Sequence, residues 1–140
     1  MHKQVRQDIK RKLSACFVSA DQKIVKGYYT LSTASLDRTQ LPPELIKKLP
    51  LSYTNLPVTL LGRLAVSKDY QRQGLGELLL VDALKRSYFA SLQVGSMAVV
   101  VDPIDEDAVR FYERYDFIQL PDSGKMLLPM ATIAQLFKDD

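Results

Sequence analysis

Apolar and polar positions along this chain follow two periods, and the change from one to the other outlines its elements. Residues 13–20 and 24–32 are β-prone runs separated by the polar Asp21-Gln22-Lys23, which predicts an antiparallel hairpin. Residues 59–66 are apolar almost throughout, with Arg63 as the exception, as expected of a central strand covered on both faces. Helical spacing then takes over. Leu75, Leu78, Leu79, Ala83, Leu84, Tyr88 and Leu92 share a face of a helix over residues 74–92. Residues 98–101 read as a second buried strand, so the strand, helix, strand series predicts a right-handed parallel crossover. A second helix, over residues 105–115, carries acidic residues in its first turn, where the helix dipole favours them. Residues 117–120 and 125–129 close the pattern as strands around Pro121-Asp122-Ser123-Gly124, followed by a short helix or coil over 132–137.

Two segments are less regular. Residues 4–12 have helix-compatible spacing but almost no apolar face beyond Val5 and Ile9, which predicts at most a short, poorly packed helix. Prolines 42, 43, 50 and 57 punctuate residues 36–57. Pro42-Pro43 is placed to open a brief helix over 44–49, and the whole segment reads as an insertion that covers part of the domain.

With 140 residues and 46% apolar composition, the chain suits a single soluble domain over residues 1–140. Its one cysteine, Cys16, lies in the apolar run Ala15-Cys16-Phe17-Val18 and is expected to be a small buried hydrophobe rather than a reactive thiol. No apolar stretch approaches a membrane span and the polar start is unlike a signal peptide, so the expected location is the cytoplasm, with no membrane partner. The net charge of +3 conceals an asymmetry. Residues 1–70 carry 12 Lys/Arg against 5 Asp/Glu, whereas residues 71–140 carry 7 against 11. Lys3, Arg6, Lys10, Arg11 and Lys12 crowd the start. A basic surface there suits a polyanion such as RNA, and equally a solvated face, because no aromatic interleaving marks a base-stacking platform.

The chemistry concentrates between the apolar strand and the first long helix. Gln71-Arg72-Gln73-Gly74-Leu75-Gly76 places two glycines, one residue apart, at a helix entrance. There the backbone can approach a ligand closely, and the first free N–H groups of the helix point at it. Such a loop suits a pyrophosphate, although a lone G-x-G is also a common tight turn. A dinucleotide fingerprint would require a third glycine where Leu79 stands. A nucleoside triphosphatase would require Gly-Lys-Ser/Thr, which is absent.

Gln71, Gly74 and Gly76 resemble the Gln/Arg-x-x-Gly-x-Gly/Ala phosphate loop of the GNAT acyl-CoA N-acyltransferases. About thirty residues on, Ala108-Val109-Arg110-Phe111-Tyr112-Glu113-Arg114-Tyr115-Asp116-Phe117 is similar to that family's Ala-x-x-Phe-Tyr-Glu-x-x-Gly-Phe segment. Gly27-Tyr28-Tyr29-Thr30-Leu31-Ser32, Leu61-Gly62-Arg63-Leu64-Ala65-Val66 and Lys125-Met126-Leu127-Leu128-Pro129-Met130 narrow the resemblance to the bacterial GNAT toxins of toxin–antitoxin pairs. Members of that group acetylate the α-amine of aminoacyl-tRNA. The resemblance runs over roughly residues 13–135. It departs at Asp105, where the family has asparagine, at Asp116, where it has glycine, and at the start, where the first strand and helix are shortened.

The resemblance implies an α/β GNAT fold, a mixed central sheet with helices on both faces. It implies acetyl-CoA as donor and no metal, with the pyrophosphate on the backbone of Gln71, Arg72, Gln73, Gly74, Leu75 and Gly76. The pantetheine arm would run along Leu64, Ala65 and Val66, and Asp105 and Phe111 would complete the donor site. Tyr112 is the expected general acid that protonates the departing thiolate, with Tyr115 as a spare. No base is evident, since the only histidine, His2, is terminal. That shortage favours an α-amine acceptor, because its unperturbed pKa of about 7.7–8.0, lowered further by the adjacent ester of an aminoacyl-tRNA, leaves it substantially neutral near pH 7, unlike a lysine near 10.4. Arg38, Lys47, Lys48 and Arg63 are candidates for an RNA surface. Expected partners are aminoacyl-tRNA, a small DNA-binding antitoxin and a second copy of the chain in a homodimer. The alternatives are acetylation of a small amine or protein amino terminus, or a non-catalytic module that binds CoA or a partner.

Overall fold

The computed structural model describes residues 4–8, 14–21 and 24–137. One seven-stranded sheet, in the order β1-β2-β3-β4-β5-β7-β6, organises them. Strands β1 (Gln4–Asp8), β2 (Ala15–Asp21), β3 (Ile24–Asp37) and β4 (Asn55–Val66) are successively antiparallel. β4 then pairs in parallel with β5 (Ala98–Val101) through the crossover helix α2 (Leu75–Ser91), as the apolar pattern requires. The sheet closes with β7 (Met126–Pro129) between β5 and the two-residue β6 (Ile118–Gln119), both pairings antiparallel.

Alternation along the strands creates two apolar layers. Tyr29, Leu61, Val99, Val101, Met126 and Leu128 face α2, α3 (Glu106–Glu113) and α4 (Met130–Phe137) in the main core. Leu36, Leu56, Val58, Ala98, Val100 and Leu127 face the other way. There the covering element is the segment between β3 and β4, with the short helix α1 (Pro43–Ile46) and Leu41, Leu45, Ile46 and Leu49. Helices thus occupy both faces, unequally. Cys16 is buried, as expected of a small hydrophobe.

Several expectations change. Residues Gln4–Asp8 are a strand, not the start of a poor helix, with Gln4 opposite Ala20 and Asp8 opposite Cys16. A segment without an apolar stripe gains little as a helix, while the edge of β2 offers it a full hydrogen-bonding partner. The other expected helical residues, the basic positions Lys3, Lys10, Arg11 and Lys12, and the link Gln22-Lys23 lie outside the described residues. β3 continues past Ser32 to Asp37, which pairs with Asn55. Pro57 therefore lies inside β4 rather than ending an insertion, and its carbonyl accepts from the Met97 N–H at 2.8 Å. Leu92 lies just past the end of α2 and is exposed, and within α2 Leu78 is exposed, whereas Leu80 and Ser87 are buried. The reason is that α2 packs on α4 as well as on the sheet, which shifts its buried arc.

Candidate active site

The two-glycine loop expected to hold a phosphate follows directly from the end of β4. The Ser67 N–H donates to the Lys26 carbonyl at 2.7 Å, and a single 3-10 turn over Lys68–Tyr70 leads to Gln71. Gln71 reaches back, its Nε2 donating to the Val66 carbonyl at 3.1 Å. Gly74 has φ +79°, a left-handed conformation that glycine adopts without steric cost, and it immediately precedes α2. No side chain caps α2. Its first N–H groups, which have no acceptor within the helix, are therefore available to an anion. A cleft of about 440 Å³ lies in front of them.

The adjacent strand supplies an open edge. β4 runs to Val66 but pairs with β5 only over Thr59–Leu61, opposite Val99–Val101. From Gly62 onward its β5-facing main chain has no strand beside it among the described residues. An extended ligand bearing amides can use such an edge as an added strand would.

Helix α3 forms the opposite wall. Asp105 caps it, accepting from the Ala108 N–H at 2.8 Å. Its far end closes with Phe117 N–H donating to the Tyr112 carbonyl (3.2 Å) and Asp116 N–H to Glu113 (3.1 Å). This double bond pattern is a Schellman motif. Asp116, at φ +69°, holds the left-handed position where the resembling family has glycine, and aspartate is among the few other residues that tolerate it. Tyr112 is 8% exposed, its ring 5.2 Å from those of both Phe111 and Phe117. Burial pushes its phenol up to about 12, so it is fully protonated at neutral pH and able to donate.

Of the residues singled out from the sequence, Val66, Gln71, Arg72, Gly74, Gly76 and Phe111 line the cleft together. Leu75 is buried in the core, so only its main chain can serve a ligand, and Leu64 likewise packs against the core. Ala65 faces a separate hollow beside Lys26 and Tyr28, and Gln73 is exposed. The Asp105 carboxylate is committed to its helix cap and lies outside the cleft lining. Glu77 and Arg114 were missed, and the spare Tyr115 joins them on the cleft wall. Helical spacing carried the signal: residues three and four beyond Phe111 share its face. Burial and the neighbouring Glu77 carboxylate raise the Tyr115 phenol pKa, while the Arg114 guanidinium lies 5.7 Å over the Phe111 ring.

The expected RNA surface loses one member. The Arg38 guanidinium turns inward and donates to the carbonyls of Ile46 (3.1 Å), Leu49 (3.2 Å), Tyr53 (3.1 Å) and Pro50. It organises the segment between β3 and β4. Lys47, Lys48 and Arg63 remain exposed.

Comparison with known proteins agrees with this geometry. Residues 12–119 match the family model described as an acetyltransferase (GNAT) domain. A tRNA-acetylating toxin of Mycobacterium tuberculosis is 34% identical over 127 residues, which make up 90% of this chain and 75% of the relative. Among solved structures, a tyrosine-to-phenylalanine mutant of KacT superposes with a TM-score of 0.82 at 34% identity, covering 89% of this chain and 76% of that one. AtaT complexed with acetyl-methionyl-tRNAfMet superposes with a TM-score of 0.81 at 32% identity, again over 89% and 76%. With a family model over most of its length, an uncapped helix entrance beside an open strand edge, and the fold those relatives share, this chain belongs to the GNAT acetyltransferases.

Proposed function

We propose that the chain transfers the acetyl group of acetyl-CoA to the α-amine of aminoacyl-tRNA, as the toxin of a toxin–antitoxin pair. The observation that carries the acceptor is the likeness to AtaT, which is complexed with acetyl-methionyl-tRNAfMet. The donor follows from the site. The pyrophosphate rests on the N–H groups at the start of α2, with Arg72 and Arg114 adding positive charge, and the amides of the pantetheine arm meet the open edge of β4. The thioester then lies along the free edge of β4 toward Tyr112, which is outside the cleft lining and packs in the core against the cleft-wall residue Phe111.

There the amine nitrogen attacks the thioester carbonyl carbon. The new C–N bond forms, the C–S bond breaks, and the thiolate takes the Tyr112 phenolic proton, which solvent later restores. The attacking amine loses one proton to water, leaving an acetamide and free CoA thiol. A main-chain N–H on the free edge of β4 meets the charge that develops on the carbonyl oxygen. An α-amine with a pKa of about 7.7–8.0 needs no strong base for this step.

Such a substrate places the protein in the cytoplasm, and no helix among the described residues is long and apolar enough to cross a membrane. A small DNA-binding antitoxin and a second copy of the chain are the partners this reading implies. The test is mass spectrometry of a complete charged tRNA pool incubated with protein and acetyl-CoA. An acetyl increment on the aminoacyl group is expected. Its absence, with transfer to a small amine or peptide amino terminus instead, would replace the acceptor; CoA binding without any transfer would leave a binding module.

A further inference from the structure

At the point where β4 parts from β5, one extra residue redirects its main chain. Tyr29 faces Leu64 and Leu31 faces Leu61, so two steps along β3 are matched by three along β4. A bulge of this kind leaves one residue outside the ladder and increases the local twist. The displaced N–H belongs to Arg63, and a side chain receives it: Thr30 Oγ1 accepts at 3.0 Å. Thr30 is only 6% exposed, so the accepting side of this part-buried bond lies within the protein. Gly62 completes the device, because a Cβ there would lie 2.8 Å from Thr30 Oγ1. The hydroxyl fills the space that a side chain at position 62 would need.

The location of this lock gives it chemical meaning. Pairing between β4 and β5 ends at Leu61 and Val101, and the bulge begins at the next residue. The orientation of the peptide planes along the free edge is therefore set by how the bulge is held. A donor to a developing oxyanion must lie within about 2.7–3.1 Å of the place the charged oxygen will occupy, so a small rotation of the plane removes its contribution. The α2 entrance, by contrast, is tied to β4 beyond the bulge, at Val66, through Gln71.

We propose that Thr30 is a positioning residue for acetyl transfer: its hydroxyl, by holding the Arg63 N–H, sets the bulge that aims the free edge of β4 at the thioester carbonyl oxygen. This rests on the acetyltransferase reading above.

Thr30→Val keeps the shape and removes the acceptor; Thr30→Ser restores the hydroxyl. With acetyl-CoA labelled with carbon-13 at the acetyl carbonyl, isotope-edited infrared spectra report how strongly each protein polarises that bond, without any acceptor present. The wild type and Thr30→Ser are expected to shift the carbonyl band to lower frequency, and Thr30→Val to return it toward that of free acetyl-CoA. In turnover with charged tRNA, Thr30→Val should lose about tenfold to a hundredfold in kcat, with KM for acetyl-CoA within about threefold of wild type. An unshifted wild-type band, a Thr30→Val band like that of wild type, or equal loss in Thr30→Ser would overturn the proposal. If Thr30→Val fails to fold, Thr30→Ala takes its place under the same criteria. A wild type that polarises the carbonyl through Thr30 but leaves charged tRNA unmodified refutes the acceptor and upholds the positioning role.

Discussion

The Gln71 side chain holds the Val66 carbonyl at 3.1 Å and so fastens the two-glycine loop to the last residue of β4. The two halves of the proposed donor site, loop and strand edge, thus have a direct mechanical connection. Gln71→Leu removes one neutral hydrogen bond, worth about 1 kcal/mol, and should raise KM for acetyl-CoA roughly fivefold while kcat stays within about twofold. Steady-state kinetics with varied acetyl-CoA measure this. A fall in kcat at constant KM would disconnect the latch from donor binding.

Tyr112→Phe keeps the ring packing with Phe111 and Phe117 and deletes only the phenolic proton. Donor binding by calorimetry should be unchanged, and the transfer rate should fall by about 10²–10⁴, the usual worth of a general acid. Unaltered turnover would remove Tyr112 from the mechanism.

Alkaline stability carries a separate signature of the same residue. The Tyr112 phenol is neutral in the fold to about 12, while in the unfolded chain it ionises near the ordinary value of 10.0. The folded pKa is raised, so its contribution is fully present below pH 10 and is lost as pH climbs from about 10 to about 12. Buried Tyr29, raised further by desolvation and by the Asp82 carboxylate it donates to, adds to the loss in the same direction. Denaturant midpoints should therefore fall steeply above pH 10, and less steeply in Tyr112→Phe. Parallel curves for the two proteins would contradict the buried, neutral phenol.

Gly76 tests the anion cradle. The nearest side-chain atoms a Cβ there would meet are those of the Phe111 ring, at 3.8 Å, and Val66 Cγ2, at 3.9 Å, both ordinary contacts. Gly76→Glu should consequently fold, yet place a carboxylate against the pyrophosphate and abolish retention on a CoA affinity resin. Normal retention by a folded variant would move the pyrophosphate elsewhere.

Asp116→Gly should stabilise the protein. Relief of the left-handed strain at φ +69° outweighs the extra chain entropy of glycine, for a net gain of about 0.5–1 kcal/mol. Thermal unfolding with a matched surface control measures it, and a lower midpoint would mean that the aspartate side chain supports the helix end.

The proposed donor side of this protein could be read from local patterns. A strand, a loop with two glycines and a helix entrance are contiguous in sequence, and their chemistry resides mainly in main-chain groups whose direction the local fold dictates. Asp105 is a different case: the sequence places it within the first turn of the helix and the resemblance gives it to the donor site, whereas its carboxylate caps α3 by accepting from the Ala108 N–H. Arg38 was illegible for the opposite reason. Its charge suggested a surface partner, but four carbonyls brought together by the turn after β3 satisfy it, and no local pattern encodes that convergence.

By itself the sequence determined the succession of elements from β2 onward, the parallel crossover and the two-glycine helix entrance after β4, because hydrophobic period and glycine placement act over a few residues. Tertiary structure decided the rest: that Gln4–Asp8 pairs as an edge strand, that Leu80 rather than Leu78 is buried, and that Thr30 fills the space left by Gly62. Each of these depends on what a distant segment brings alongside, a hydrogen-bonding edge, a second helix or a cavity one atom wide. Such partners are fixed only when the sheet assembles.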